Sequence, residues 1–175
     1  MENERKTDRS ADMGMDEHRL SDILLASQIK ATDIYETPPQ IIWIDNSTIA
    51  TLGNFSASTG KAKSKKTFNV SALVAASLAG KQVLNYRAHL PEGKQRILYV
   101  DTEQSRFHCR SVLERILRLA GLPTTTDPEN LDFFCLREYS PSVRVEVIDY
   151  ALRQNKGYGL VIIDGIRDLM LDINS

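Results

Sequence analysis

Apolar positions along this chain change their period several times, and each change marks an element. From His18 to Ala31, Leu20, Ile23, Leu24, Leu25 and Ile29 recur at helical spacing, with Asp16 or Ser21 as caps. Pro38-Pro39 ends that run. Ile41-Ile42-Trp43-Ile44, Asp45-Asn46 and Ile49-Ala50-Thr51-Leu52 predict a short hairpin, bounded by Gly53-Asn54. Strand and helix then alternate. The pattern predicts a short strand over Phe55–Thr59, a helix over Lys66–Leu84, and a strand over Arg96–Asp101. It continues with a helix over Ser105–Ala120, stopped by Gly121 and Pro123, and a strand over Leu131–Leu136. A helix over Ser142–Asn155, opened by Pro141, and a strand over Leu160–Asp164 complete it. Repeated strand–helix–strand units predict an α/β fold with a parallel sheet covered by helices. The run Leu160-Val161-Ile162-Ile163 suits a central strand buried on both faces.

Composition narrows the partners. The chain has 175 residues, 26% of them charged, and a net charge of −1, so its bulk field selects neither a nucleic acid nor a membrane. Met1 to Glu17 is polar and mixed in charge and is expected to be disordered. No apolar run approaches a bilayer span and no leader pattern opens the chain, which predicts a cytoplasmic protein with no membrane partner. Cys109 and Cys135 lack zinc-ligand spacing and read as buried thiols of a reduced compartment. Three units are expected: a tail over 1–17, a helix and hairpin over 18–52, and a nucleotide-binding core over 53–175. A sheet whose apolar strand is followed so closely by Ser175 is expected to be truncated after that strand.

The stretch Gly60-Lys61-Ala62-Lys63-Ser64-Lys65-Lys66-Thr67 carries the sharpest chemistry. A phosphate-binding loop needs a glycine-opened turn, a lysine for the β- and γ-phosphates, and a hydroxyl for Mg²⁺ at a helix N-terminus. Pairing Gly53 with Gly60-Lys61 gives the wrong spacing and no hydroxyl. Pairing Gly60 with Lys66-Thr67 gives the right spacing, lysine and hydroxyl, with Phe68 opening the helix. Lys65 then stands where a second glycine is usual. A lysine fits there if its φ is negative and its side chain points outward.

Two acids end predicted strands, where ligands gather in open parallel sheets. Asp164 follows Leu160-Val161-Ile162-Ile163, the form of a Walker B strand, and is a candidate for the Mg²⁺ shell beside Thr67. Glu103, in Tyr99-Val100-Asp101-Thr102-Glu103, is a candidate to orient and deprotonate water, or alternatively a helix-start acid favoured by the dipole. Asp101 is expected to hold the turn. His89 and His108 have no partner at usable spacing. Arg137-Glu138 and Arg167-Asp168 follow strands and are placed to border the site or to meet a neighbouring subunit.

Together the Gly60–Thr67 loop, Tyr99–Glu103 and Val161-Ile162-Ile163-Asp164 resemble the RecA-like ATPases. The resemblance is nearest to RepA-type helicases and the AAA-family ATPases of plasmids and mobilisable elements. Leu136-Arg137-Glu138 and Asp164-Gly165-Ile166-Arg167-Asp168 extend it. It implies a three-layer core that binds ATP and Mg²⁺, with Lys66 as phosphate lysine, Thr67 as metal hydroxyl, Glu103 as catalytic glutamate and Asp164 as Walker B acid. It also implies a homo-hexamer acting on single-stranded DNA through segments beyond Ser175, in replication or mobilisation. A nucleotide-sensing assembly module is the main alternative. A small-molecule kinase ranks lower, because no arginine-rich lid is visible.

Overall fold

The structure is a computed structural model that describes residues 17–60 and 65–170. The predicted tail lies outside the described residues, apart from Glu17. The chain divides into two compact units, 1–37 and 38–175. In the first, α1 (Glu17–Ser27) forms where the apolar period predicts a helix but buries no residue. Leu24 and Leu25 are 74% and 69% exposed.

The second unit contains two sheets of three strands. β1 (Gln40–Ile44) and β2 (Ser47–Thr51) form the predicted hairpin. β1 also pairs antiparallel with β3 (Tyr86–Ala88), giving the order β2-β1-β3. The hairpin, grouped with the N-terminal helix by sequence, therefore shares a unit and a core with the later strands and helices. β3 is too short for a periodicity signal. The Arg87 guanidinium lies 4.7 Å over the Trp43 ring.

The second sheet is parallel, ordered β5-β4-β6 from β4 (Arg96–Asp101), β5 (Leu131–Cys135) and β6 (Tyr158–Asp164). Three helices cover it: α2 (Lys66–Ala79), α3 (Arg106–Ala120) and α4 (Pro141–Gln154). Strand alternation sorts the core. Ile97 and Tyr99 of β4 face α2 and α3, joining Ala72, Ala75, Ala76, Val112 and Ile116. Leu98 and Val100 face α4 and join Ile148. Each buried aliphatic side chain of this kind contributes about 1.5–3 kcal/mol. Tyr99 also stacks on Phe133 of the neighbouring strand, with centroids 4.4 Å apart. The small residues of α2 admit close packing against α3, whose end is capped by Gly121 at φ +77°.

Three sequence expectations change. No strand forms over Phe55–Thr59. Phe55 is 95% exposed, and Ser56-Ala57-Ser58-Thr59 offers no large apolar side chain to bury. The Ser56 hydroxyl bonds the Ile49 carbonyl instead. The central strand is β4 rather than the Leu160–Asp164 strand: β6 pairs only with β4 among the described residues, and Val161 is exposed. The helix expected to reach Leu84 stops at Gly80, φ +59°. Among the described residues no helix is long and apolar enough to cross a membrane.

Candidate active site at the carboxyl edge of the parallel sheet

β4 runs through α3 to β5, and β5 runs back through α4 to β6 on the far side of β4. The connections leaving β4 and β5 diverge to opposite faces, which opens the carboxyl edge of the sheet to a ligand. Register sets what lines it. Tyr99 pairs with Ile162 and Asp101 with Asp164, which brings Asp101, Thr102, Glu103 and Asp164 to one edge.

Asp164 meets the head of α2 there. Thr67 Oγ1 lies 3.4 Å from Asp164 Oδ2, across 97 positions of sequence. The Tyr99 hydroxyl donates to the same oxygen at 3.1 Å. Burial, then the Asp164 charge, raises Tyr99 far above the ordinary phenol range, so it remains a donor. Sequence reading missed Tyr99, hidden in the apolar run of β4. The alternation that puts Ile97 and Tyr99 on the α2 face was the available signal.

α2 begins at Lys66, and the amides of Lys66 and Thr67 have no acceptor within the helix. Its first turn carries no acid. With the positive end of the helix dipole and the Lys66 ammonium beside it, this terminus suits a phosphate. Gly60 is exposed coil; Lys61, Ala62, Lys63 and Ser64 lie outside the described residues. Phe68 is 41% exposed.

Lys65 departs from expectation. Its φ is +60° and ψ +25°, the left-handed conformation, where a negative φ was expected. The backbone turn demands it: the Lys65 carbonyl accepts from the amides of Phe68 and Asn69 at 3.0 and 3.1 Å, starting the helix in one step. A lysine therefore occupies a glycine conformation, costing about 1–2 kcal/mol.

Asp101 holds the turn after β4. Fully buried, it accepts from the Glu103 and Gln104 amides at 3.0 and 2.7 Å and from Gln104 Nε2 at 2.8 Å. That turn presents Glu103, whose carboxylate is exposed and accepts no bond among the described residues. Glu103 does not cap α3; Ser105 stands at the cap position. Thr102, also missed from sequence, ties the turn to the end of β6. Its hydroxyl donates to the Gly165 carbonyl at 2.8 Å, and its amide bonds the Asp164 carbonyl. Gly165 must be glycine. Its φ is +98°, and a Cβ would overlap Thr102 Oγ1 and come within 2.7 Å of Glu103 Cγ.

Beside Glu103 lies a cleft of about 690 Å³ bordered by Arg137, Arg144, Arg167 and Asp168. Arg144 is structural: it donates to the carbonyls of Leu136, Arg137 and Asp168, locking the loops after β5 and β6 together. Arg137 and Arg167 are exposed and have no side-chain partner among the described residues. His108 bonds Ser105 locally, and the His89 amide serves the Ile41 carbonyl. Neither histidine has a place in the site.

The structure thus brings the helix head bearing Lys66 and Thr67, the strand-end Asp164 facing that threonine and Glu103 on the adjacent strand end to one edge of the sheet. A family model described as an AAA domain matches residues 20–175. The chain belongs to the AAA domain family. This AAA-family membership supports a P-loop ATPase domain, which accords with the parallel α/β core. No curated protein and no solved structure matches the chain. P-loop ATPases of this kind use nucleotide and, as a rule, Mg²⁺. Thr67 and Asp164 supply hard oxygen donors 3.4 Å apart, a donor set that suits that ion.

Proposed function

We propose that this AAA-family domain binds ATP with the head of α2 and hydrolyses it with Glu103, as part of a RecA- or RepA-like ATPase working on DNA in replication or mobilisation of a genetic element. The observation that carries the reading is the convergence of Thr67, Asp164 and Glu103 from three separate elements at one sheet edge. Lys66 and the α2 amides hold the β- and γ-phosphates, with the Gly60–Thr67 loop around them. Thr67 and Asp164 hold Mg²⁺, which when bound offsets charge on the phosphates. Glu103 accepts the proton of a water whose oxygen attacks the γ-phosphorus, and the bond to the bridging oxygen breaks as ADP leaves. Asp101 and Thr102 act by positioning: they fix the turn that aims Glu103.

The DNA and hexamer parts of the proposal rest on the motif resemblance. Arg137 and Arg167 beside Glu103, without a side-chain partner among the described residues, add positive charge at the edge a polyanion would pass. The test uses Glu103→Gln in the presence of single-stranded DNA. The variant should bind ATP as the wild type does and lose turnover by about 10²-fold or more. Wild-type protein that binds ATP and never hydrolyses it, with or without DNA, would favour the second reading, a nucleotide-sensing module. The strained Lys65 and the unsupported Glu103 carboxylate are the observations on that side.

A further inference from the structure

Both cysteines of the chain lie under the turn that carries Glu103. Cys109, near the start of α3, is buried; Cys135, the last residue of β5, is half-buried. Their thiols donate to one and the same atom, the Gln104 carbonyl oxygen, at 3.7 and 3.4 Å. The fold enforces this meeting. Cys135 pairs with Asp101 across β5 and β4, while α3 leaves the same strand end with the Cys109 amide bonded to Ser105. Burial, then the adjoining Cys135 thiol, pushes the Cys109 thiol up, so it rests protonated. Zinc does not explain the pair: among the described residues no group of three metal-ligating side chains exists.

We infer that Cys109 and Cys135 are a covalent modification site, a thiol pair that a small-molecule disulfide such as oxidised glutathione converts to an internal disulfide, displacing the Gln104 carbonyl and the turn that holds Glu103. The half-exposed Cys135 reacts first. Its sulfur bonds one glutathione sulfur, the glutathione S–S bond breaks, and one reduced glutathione leaves with the Cys135 proton. Cys109 then attacks the Cys135 sulfur, and the second glutathione leaves, taking the Cys109 proton. The protein thiols lose two electrons, and the glutathione disulfide gains them. An S–S bond of about 2.05 Å draws together two sulfurs that now share the Gln104 oxygen. It removes both S–H donors from that oxygen. Gln104 and Glu103 are tied to Asp101 through their amides, so the displacement reaches the candidate water-activating residue.

The inference does not need the ATPase reading, because its test is read without nucleotide. The full chain is incubated with oxidised glutathione, trapped with an alkylating agent and mapped by mass spectrometry without reduction. The expected product is one chain lighter by two hydrogens, with the peptides holding Cys109 and Cys135 joined, and restored by dithiothreitol. Amide exchange at Glu103 and Gln104 should rise about tenfold in that form, reporting the released turn. Cys109→Ser should stop at a glutathione adduct on Cys135, and Cys135→Ser should take up no glutathione while folded. A lasting adduct on Cys135 in wild type, a disulfide between two chains, or an internal disulfide with unchanged exchange at Glu103 and Gln104 would each overturn the inference.

Discussion

The two ends of the parallel sheet are built from the same three strands, yet their charged groups are engaged differently. At the amino end, Asp132 of β5 accepts two bonds from Arg96 of β4, at 3.0 and 2.8 Å, and one from Tyr158 of β6 at 2.6 Å. The Asp132 bond raises Arg96, and burial followed by Asp132 pushes Tyr158 up to about 12, so Arg96 and Tyr158 keep their protons through the neutral range. Every strand contributes one member, and Asp132 is fully engaged, although the buried Arg96 Nε has no hydrogen-bond partner among the described residues. At the carboxyl end, Asp101 is saturated in the same manner by the turn it holds. Asp164 is not: Tyr99 and a long contact to Thr67 engage one oxygen, and among the described residues no donor meets the other. Glu103 accepts nothing among them. Charged groups at strand ends thus divide into those that finish the fold and those left with capacity for something else.

That division can be broken experimentally. Asp132→Ala should lower stability by about 1–3 kcal/mol, because it strands a half-buried guanidinium and a tyrosine hydroxyl. ATP affinity should be unchanged. Asp164→Asn should do the reverse, weakening the Mg²⁺ dependence of ATP binding with little shift in the unfolding midpoint. Urea unfolding and titration with a non-hydrolysable ATP analogue would show both, and a loss of ATP affinity in Asp132→Ala would erase the distinction between the two ends.

A smaller effect separates strain from function within the loop. Lys65→Gly relaxes a left-handed residue and should raise stability by about 1 kcal/mol. ATP affinity should hold or improve. A tenfold weaker affinity, about 1.4 kcal/mol, would instead make Lys65 a phosphate ligand whose strain is the cost of its position.

Legibility in the sequence followed the range of the signal. The helices at Arg106–Ala120 and Pro141–Gln154 and the strands at Arg96–Asp101 and Leu131–Cys135 were readable within a residue or two, since period, caps and breakers are local. Pairing order was not, because nothing in Leu160-Val161-Ile162-Ile163 says that β4 rather than β6 takes the middle. Phe55–Thr59 shows the limit of context: its place before a phosphate loop suggested a strand that its side chains do not support. At the site, Lys66, Thr67, Glu103 and Asp164 could be picked out by residue type and position. Thr102 and Gly165 could not, because their importance lies in contacts to residues more than sixty positions away or in a single backbone angle, and Tyr99 was marked only by the alternation that turns it toward α2.

Every role assigned at the sheet edge depends on the head of α2 being the phosphate site, with Lys66 as its lysine. Calorimetric titration of the wild type, Lys66→Ala and Lys61→Ala with a non-hydrolysable ATP analogue and Mg²⁺ tests this most directly. Lys66 is exposed and adds little to packing, so Lys66→Ala should keep the wild-type unfolding midpoint. Lys66→Ala should abolish measurable binding, and Lys61→Ala should change affinity only slightly. Equal losses from the two substitutions, or undiminished binding by Lys66→Ala, would contradict the register on which the site is built.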